Sequence, residues 1–174
     1  MTDYALAPKT ALGGTEPAVE RFARLTIAEE PNIALASVAA RAARAEDVAR
    51  IGKSLIGADW PAVEASAGDG PIRAFWMGQT QWMLIAPHDS HENLAAQAKA
   101  TFGDAAAITE QTDGWAAFTL KGEDCEAVLE RLCAVDIRRA RAGAAIRTVI
   151  EHIGCFVICG EPARRFDVLG PRSS

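Results

Sequence analysis

The chain has 174 residues, 49% of them apolar and 24% charged, with a formal net charge of −5. That length predicts one domain or two half-domains sharing a core, and the composition is that of a folded globular protein. The acidic balance argues against a phosphate-backbone binder, which needs a basic surface. The clusters Arg138-Arg139-Arg141 and Arg164-Arg165 read as solvated or partner-facing charge.

Residues 1–30 read as an N-terminal arm or poorly ordered lead-in, broken by Pro8, Gly13-Gly14 and Pro17. A single α+β domain is expected over 31–174. A strand is predicted at 33–39. A helix opens at Ala45-Glu46-Asp47, carries Val48, Ile51 and Leu55 on one face and stops at Gly57. Residues 60–71 read as a loop or short irregular strand. Two β-type runs, 72–77 and 81–86, flank Gly78-Gln79-Thr80 as a hairpin. Asp89 or Ser90 is the expected N-cap of a helix over 91–102 with Leu94, Ala98 and Phe102 inward. A short strand at 105–110 follows Gly103.

The last third begins with an alternating strand at 115–120. Gly122-Glu123-Asp124 then starts a helix, its acids complementing the helix dipole. Cys125, Val128, Leu129, Leu132 and Cys133 fall at i, i+3, i+4, i+7 and i+8, one apolar face. Val149-Ile150 and Cys155 to Cys159 supply β-rich runs on either side of a turn. Two segments echo the first half. Ala45-Glu46-Asp47 reaching Leu55 matches Gly122-Glu123-Asp124 reaching Leu132, and WMLIAP at 82–87 matches FDVLGP at 166–171. The expected architecture is therefore two related units, 33–111 and 112–174, packed together. The echo also predicts a helix after Ser174, where the first copy has one after its proline.

Little in the sequence converges on chemistry. Cys155 and Cys159 share a strand face at about 13 Å, too far for a disulfide or shared metal. Cys125 and Cys133 lie two helical turns apart, and all four read as buried thiols. His88 and His91 flank a helix entrance, and Glu151-His152 sits at a strand turn, where neighbours face opposite sides. No catalytic, cofactor-binding or metal-binding residue is assigned. Trp60, Trp76, Trp82 and Trp115 read first as core and second as interface. No apolar run approaches a membrane span and no signal pattern opens the chain, so a cytoplasmic protein with reduced cysteines is expected.

The phrases DGW, LERLCAVD, RTVIEHIG and FDVLGPRS, with AFWMGQTQWMLIAP in the middle, resemble the gamma subunit of bacterial heterotetrameric sarcosine oxidase over roughly residues 33–174. The resemblance implies two ferredoxin-like strand–helix–strand units, like part of the aminomethyltransferase folate-binding fold. It implies a non-catalytic subunit of a complex that oxidatively demethylates sarcosine to glycine, yielding hydrogen peroxide and formaldehyde or methylene-tetrahydrofolate. The implied partners are alpha, beta and delta subunits, which carry FAD, FMN, NAD, tetrahydrofolate and zinc, with no cofactor in this chain. An isolated chain of this kind is expected to expose apolar surface; a self-associating scaffold of the same fold with no ligand is a third reading. The alternative is an autonomous folate-binding, aminomethyltransferase-like domain, which needs an acid at the base of a pocket; Glu151 and Asp113 are its candidates. Against it, Ile153-Gly154-Cys155-Phe156 lacks the lysine, later glycine and glutamate of the related folate proteins' signature.

Overall fold

The computed structural model describes residues 7–174. In chain order its elements are β1 (Val19–Arg21), β2 (Leu25–Glu29), β3 (Ala34–Ala40), α1 (Ala45–Ile56), β4 (Ser66–Ala67), β5 (Arg73–Gly78), β6 (Gln81–Ala86), α2 (His88–His91) and α3 (Leu94–Phe102). They continue with β7 (Ala106–Glu110), β8 (Trp115–Gly122), α4 (Cys125–Leu132), β9 (Ala145–Ile150), β10 (Ile153–Glu161) and β11 (Arg165–Pro171).

The strands form two antiparallel sheets, ordered β4-β5-β6-β3-β7 and β1-β2-β8-β11-β10-β9. Taken from β7, the first sheet runs β7-β3-β6-β5, the ferredoxin-like order in which β3 and β5 lie parallel on either side of β6. The second sheet repeats it as β2-β8-β11-β10. Here β8, α4, β10 and β11 stand for β3, α1, β5 and β6. Trp82↔Val38 and Phe166↔Leu120 are matching cross-strand pairs, which aligns WMLIAP with FDVLGP as the sequence echo requires. The fold is therefore α+β with two related units.

One boundary differs from expectation. The lead-in expected through residue 30 folds from Val19 onward: β1 and β2 form a hairpin, and β2 pairs with β8 from Leu25↔Gly122 to Glu29↔Phe118. In the second unit β2 takes the place beside β8 that β7 holds beside β3. Among the described residues α3 has no counterpart there. Residues 7–18 do run without regular structure, and 1–6 lie outside the described residues.

Alternation along the strands sorts the core into three layers. Val38, Ala74, Trp82 and Leu84 face α1 and α3, where they meet Val48, Ile56, Ala98 and Phe102. Leu120, Val157, Cys159 and Phe166 face α4 and the turn that follows it, where Cys125, Leu129 and Ile137 close over them. Leu35, Phe75 and Met83 of the first sheet meet Ala117, Phe156, Ile158 and Leu169 of the second. The molecule is thus a helix–sheet–sheet–helix stack. Burying each large apolar side chain in these layers contributes about 1.5–3 kcal/mol. The sheet edges are also tied together: Ala145 N–H donates to Glu64 O at 2.9 Å and Ser66 N–H to Gly143 O at 2.6 Å.

The helix expected over 91–102 is two pieces, interrupted at Glu92 and Asn93. Neither Asp89 nor Ser90 caps it through a side chain; instead Asn32 Oδ1, just before β3, accepts from Asp89 N–H at 3.0 Å. Gly57 ends α1 in the left-handed conformation at φ 72°, donating to Lys53 O as predicted. The tryptophans serve the core. Trp82 is buried and donates to Pro61 O at 2.9 Å, Trp60 packs on Trp82 and Phe102, and Trp115 packs on Phe156.

Candidate functional site

Two cavities lie where the units meet. The first, about 380 Å³, is roofed by the irregular segment around Pro8 to Pro17 and floored by Glu29, Trp115 and Ala116. Glu29 is its chemical centre. The outer face of β2 carries Leu25, Ile27 and Glu29, so alternation turns this acid toward a face that the irregular segment covers, leaving the residue 6% exposed. Its carboxylate accepts from Leu12 N–H at 2.9 Å and Ala18 N–H at 3.1 Å. Burial pushes its pKa up, but donors from Ala18, Leu12, Thr10 and Ala11 outweigh that and hold the carboxyl below its ordinary value. Arg172 stitches the other side of the segment, donating to Lys9 O at 3.0 Å and Thr10 O at 3.4 Å.

The second cavity, about 300 Å³, opens between the sheets. Ile33, Ile85, Ala117, Ile158 and Leu169 form the apolar part of its lining, and polar and charged side chains, Arg73 and Glu30 among them, form the rest. Asp167 and Arg165, two apart on β11, share the face that looks toward the other sheet. Asp167 accepts from the Thr119 hydroxyl at 2.8 Å and from Arg165 Nη2 at 3.3 Å to each oxygen. Arg165 lies along Gly160, whose missing side chain leaves room for it, and its Nε is buried without a hydrogen-bond partner among the described residues.

Of the two acids singled out from sequence, Asp113 lines the first cavity but sits on its rim. Its side chain is 96% exposed and pairs with Arg172 at 3.4 Å. Glu151 lies with His152 in the two-residue turn joining β9 and β10, both at positive φ (47° and 71°) and both exposed. That is the backbone of a type I′ hairpin, and it puts neither residue at a cavity. Neither acid forms the base of a pocket. His88 lines the first cavity, while His91 Nδ1 hydrogen-bonds the Ser90 hydroxyl at 3.0 Å. His88 and His91 are the first and last residues of α2, and His152 lies in the β9–β10 turn.

The acids drawn inward are instead Glu29, which is buried, and Asp167, which is half-buried. Glu29 fell inside the segment read as a lead-in, and Asp167 inside a strand read as core. An acid inside an otherwise β-type run, as in RFDVL, is the signal that could have found Asp167, whereas Glu29 ends its strand and has no local signal. The four cysteines are free thiols, with Cys125, Cys133 and Cys159 in the layer that α4 closes, and burial pushes Cys125, Cys155 and Cys159 up in pKa. No group of three or more metal-ligating side chains comes together among the described residues.

No protein-family model and no curated protein matches the sequence. The fold does match solved structures. A chain of the heterotetrameric sarcosine oxidase from Corynebacterium sp. U-96, solved with pyrrole 2-carboxylate, superposes at TM-score 0.72 and 19% identity, covering 86% of this chain and 76% of that one. The glycine cleavage system aminomethyltransferase T from Bartonella henselae superposes at TM-score 0.62 and 13% identity, over 83% of this chain and 41% of that enzyme. At such identities the likeness is one of fold: the two-unit α+β architecture of this chain is shared with a sarcosine oxidase chain and with part of an aminomethyltransferase.

Proposed function

We propose that this chain is the gamma-type subunit of a heterotetrameric sarcosine oxidase, a non-catalytic partner that packs against the larger subunits. The observation that carries the reading is the reciprocal cover of the sarcosine oxidase chain, most of each chain against most of the other. The aminomethyltransferase match, by contrast, accounts for under half of that enzyme. The phrases LERLCAVD and FDVLGPRS, which carry the family resemblance, lie at the end of α4 and along β11, both in the second unit.

In this reading the alpha, beta and delta partners carry FAD, FMN, NAD, tetrahydrofolate and zinc, and the complex works in the cytoplasm. No helix of the described residues is long and apolar enough to cross a membrane. Leu12, Val19 and Phe22 offer apolar contacts: they are 64%, 40% and 60% exposed within one short stretch.

The test is enzymatic. The larger subunits are expressed with and without this chain, and sarcosine-dependent hydrogen peroxide is measured in each preparation. The reading expects active complex only, or chiefly, when this chain is present. Equal activity and equal assembly without it overturn the reading.

A further inference from the structure

The cavity between the sheets has no part in the subunit reading, and an inference about it stands apart from that reading. Three features point to a ligand. Each sheet contributes apolar side chains to the lining, Ile85 of β6 on one side and Ile158 and Leu169 on the other. Two guanidinium groups, of Arg73 and Arg165, edge the same opening. Asp167 holds the Arg165 guanidinium in place through Nη2. Arg73 enters none of the ion pairs formed by the described residues.

An apolar cleft with a few polar groups at its edge is the usual form of a small-molecule site. The guanidinium fork selects a planar oxyanion, which it binds through two parallel N–H donors. The acids in the same lining set an upper limit on charge. Asp167 and Glu30 would repel a second negative group, which disfavours dicarboxylates and phosphate. We propose that the cleft between the sheets binds a small organic monocarboxylate, its apolar body between Ile85 and Leu169 and its carboxylate against Arg73 and Arg165.

The probe is sodium isobutyrate, titrated into the ¹⁵N-labelled full chain at constant ionic strength, with isobutyramide as the neutral isostere. The proposal expects saturable amide shifts at Ala117, Thr119, Ile158 and Leu169. For a ligand this small the Kd should be on the order of millimolar. Isobutyramide and inorganic phosphate should leave those amides unmoved. Arg165→Lys retains the positive charge toward Asp167 but removes Nε and the fork, and should weaken isobutyrate at least about tenfold. Arg73 is exposed, so Arg73→Gln leaves the fold intact and should weaken binding similarly; it decides the matter if the Arg165 variant does not fold. Shifts that never saturate, an equal response to isobutyramide, or unchanged affinity in the folded variants overturn the proposal.

Discussion

Phe75 of β5 and Phe156 of β10 meet across the two sheets with ring centroids 5.3 Å apart and planes tilted by 59°. This pair and Trp115, 5.7 Å from Phe156, form the aromatic centre of the layer that joins the two units. Phe156→Ala should leave a cavity bordered by both sheets and cost about 3–5 kcal/mol. Chemical unfolding checks it. A loss nearer 1 kcal/mol would mean that the sheets are held together mainly by their edges.

Glu29 should make stability depend on pH. Its folded-state pKa is depressed by the surrounding N–H donors, despite burial. The stabilisation is therefore complete above the unfolded glutamate value of about 4.3 and is lost as pH falls through the folded value. At neutral pH Glu29→Gln should cost about 1–3 kcal/mol, because the amide NH₂ faces donors it cannot satisfy. The gap between variant and wild type should shrink as the pH is lowered below the ordinary carboxylate range. Limited proteolysis should at the same time open residues 8–18 in the variant.

Gly52 sits mid-helix in α1, where alanine would ordinarily gain about 1 kcal/mol of helix propensity. A Cβ there would stand 2.2 Å from the Trp60 ring, which packs against Trp82 and Phe102. Overpacking of that kind costs about 1–3 kcal/mol, so Gly52→Ala should destabilise on balance. Thermal unfolding gives the sign, and a changed tryptophan emission should report displacement of Trp60.

The thiols should be inert in the folded chain. Burial raises the pKa of Cys125, Cys155 and Cys159, so little thiolate is present near pH 8. A disulfide reagent should titrate them only after unfolding, with half-buried Cys133 reacting first. Rapid native labelling of all four would contradict the packing beneath α4.

Much of this architecture was legible because it rests on local signals that packing did not override. The acid pair before α4, Gly57 after α1 and the matched phrases at β6 and β11 all point to the duplicated α+β fold that forms. The N-terminal strands were not legible. β1 has three residues, all exposed, and β2 derives its strand character from pairing with β8, about ninety residues away in sequence. The same long-range pairing makes Glu29 a buried acid, which nothing in its neighbours announces. Glu151 and Asp113 were named as acids for the base of a pocket, but both lie at turns, where the chain reaches solvent. Asp167 was hidden because its partners, Thr119 and Arg165, converge only once β8 and β11 are paired.

The central claim is membership in a larger oxidase, and native mass spectrometry of a co-expressed assembly tests it most directly. This chain, tagged, is produced with the large and small subunits of a sarcosine oxidase from the same source and captured. The account predicts a single assembly containing one copy of this chain with the flavin-bearing subunits. Recovery of this chain alone, as monomer or self-associated oligomer, while the other subunits assemble without it, would contradict the account.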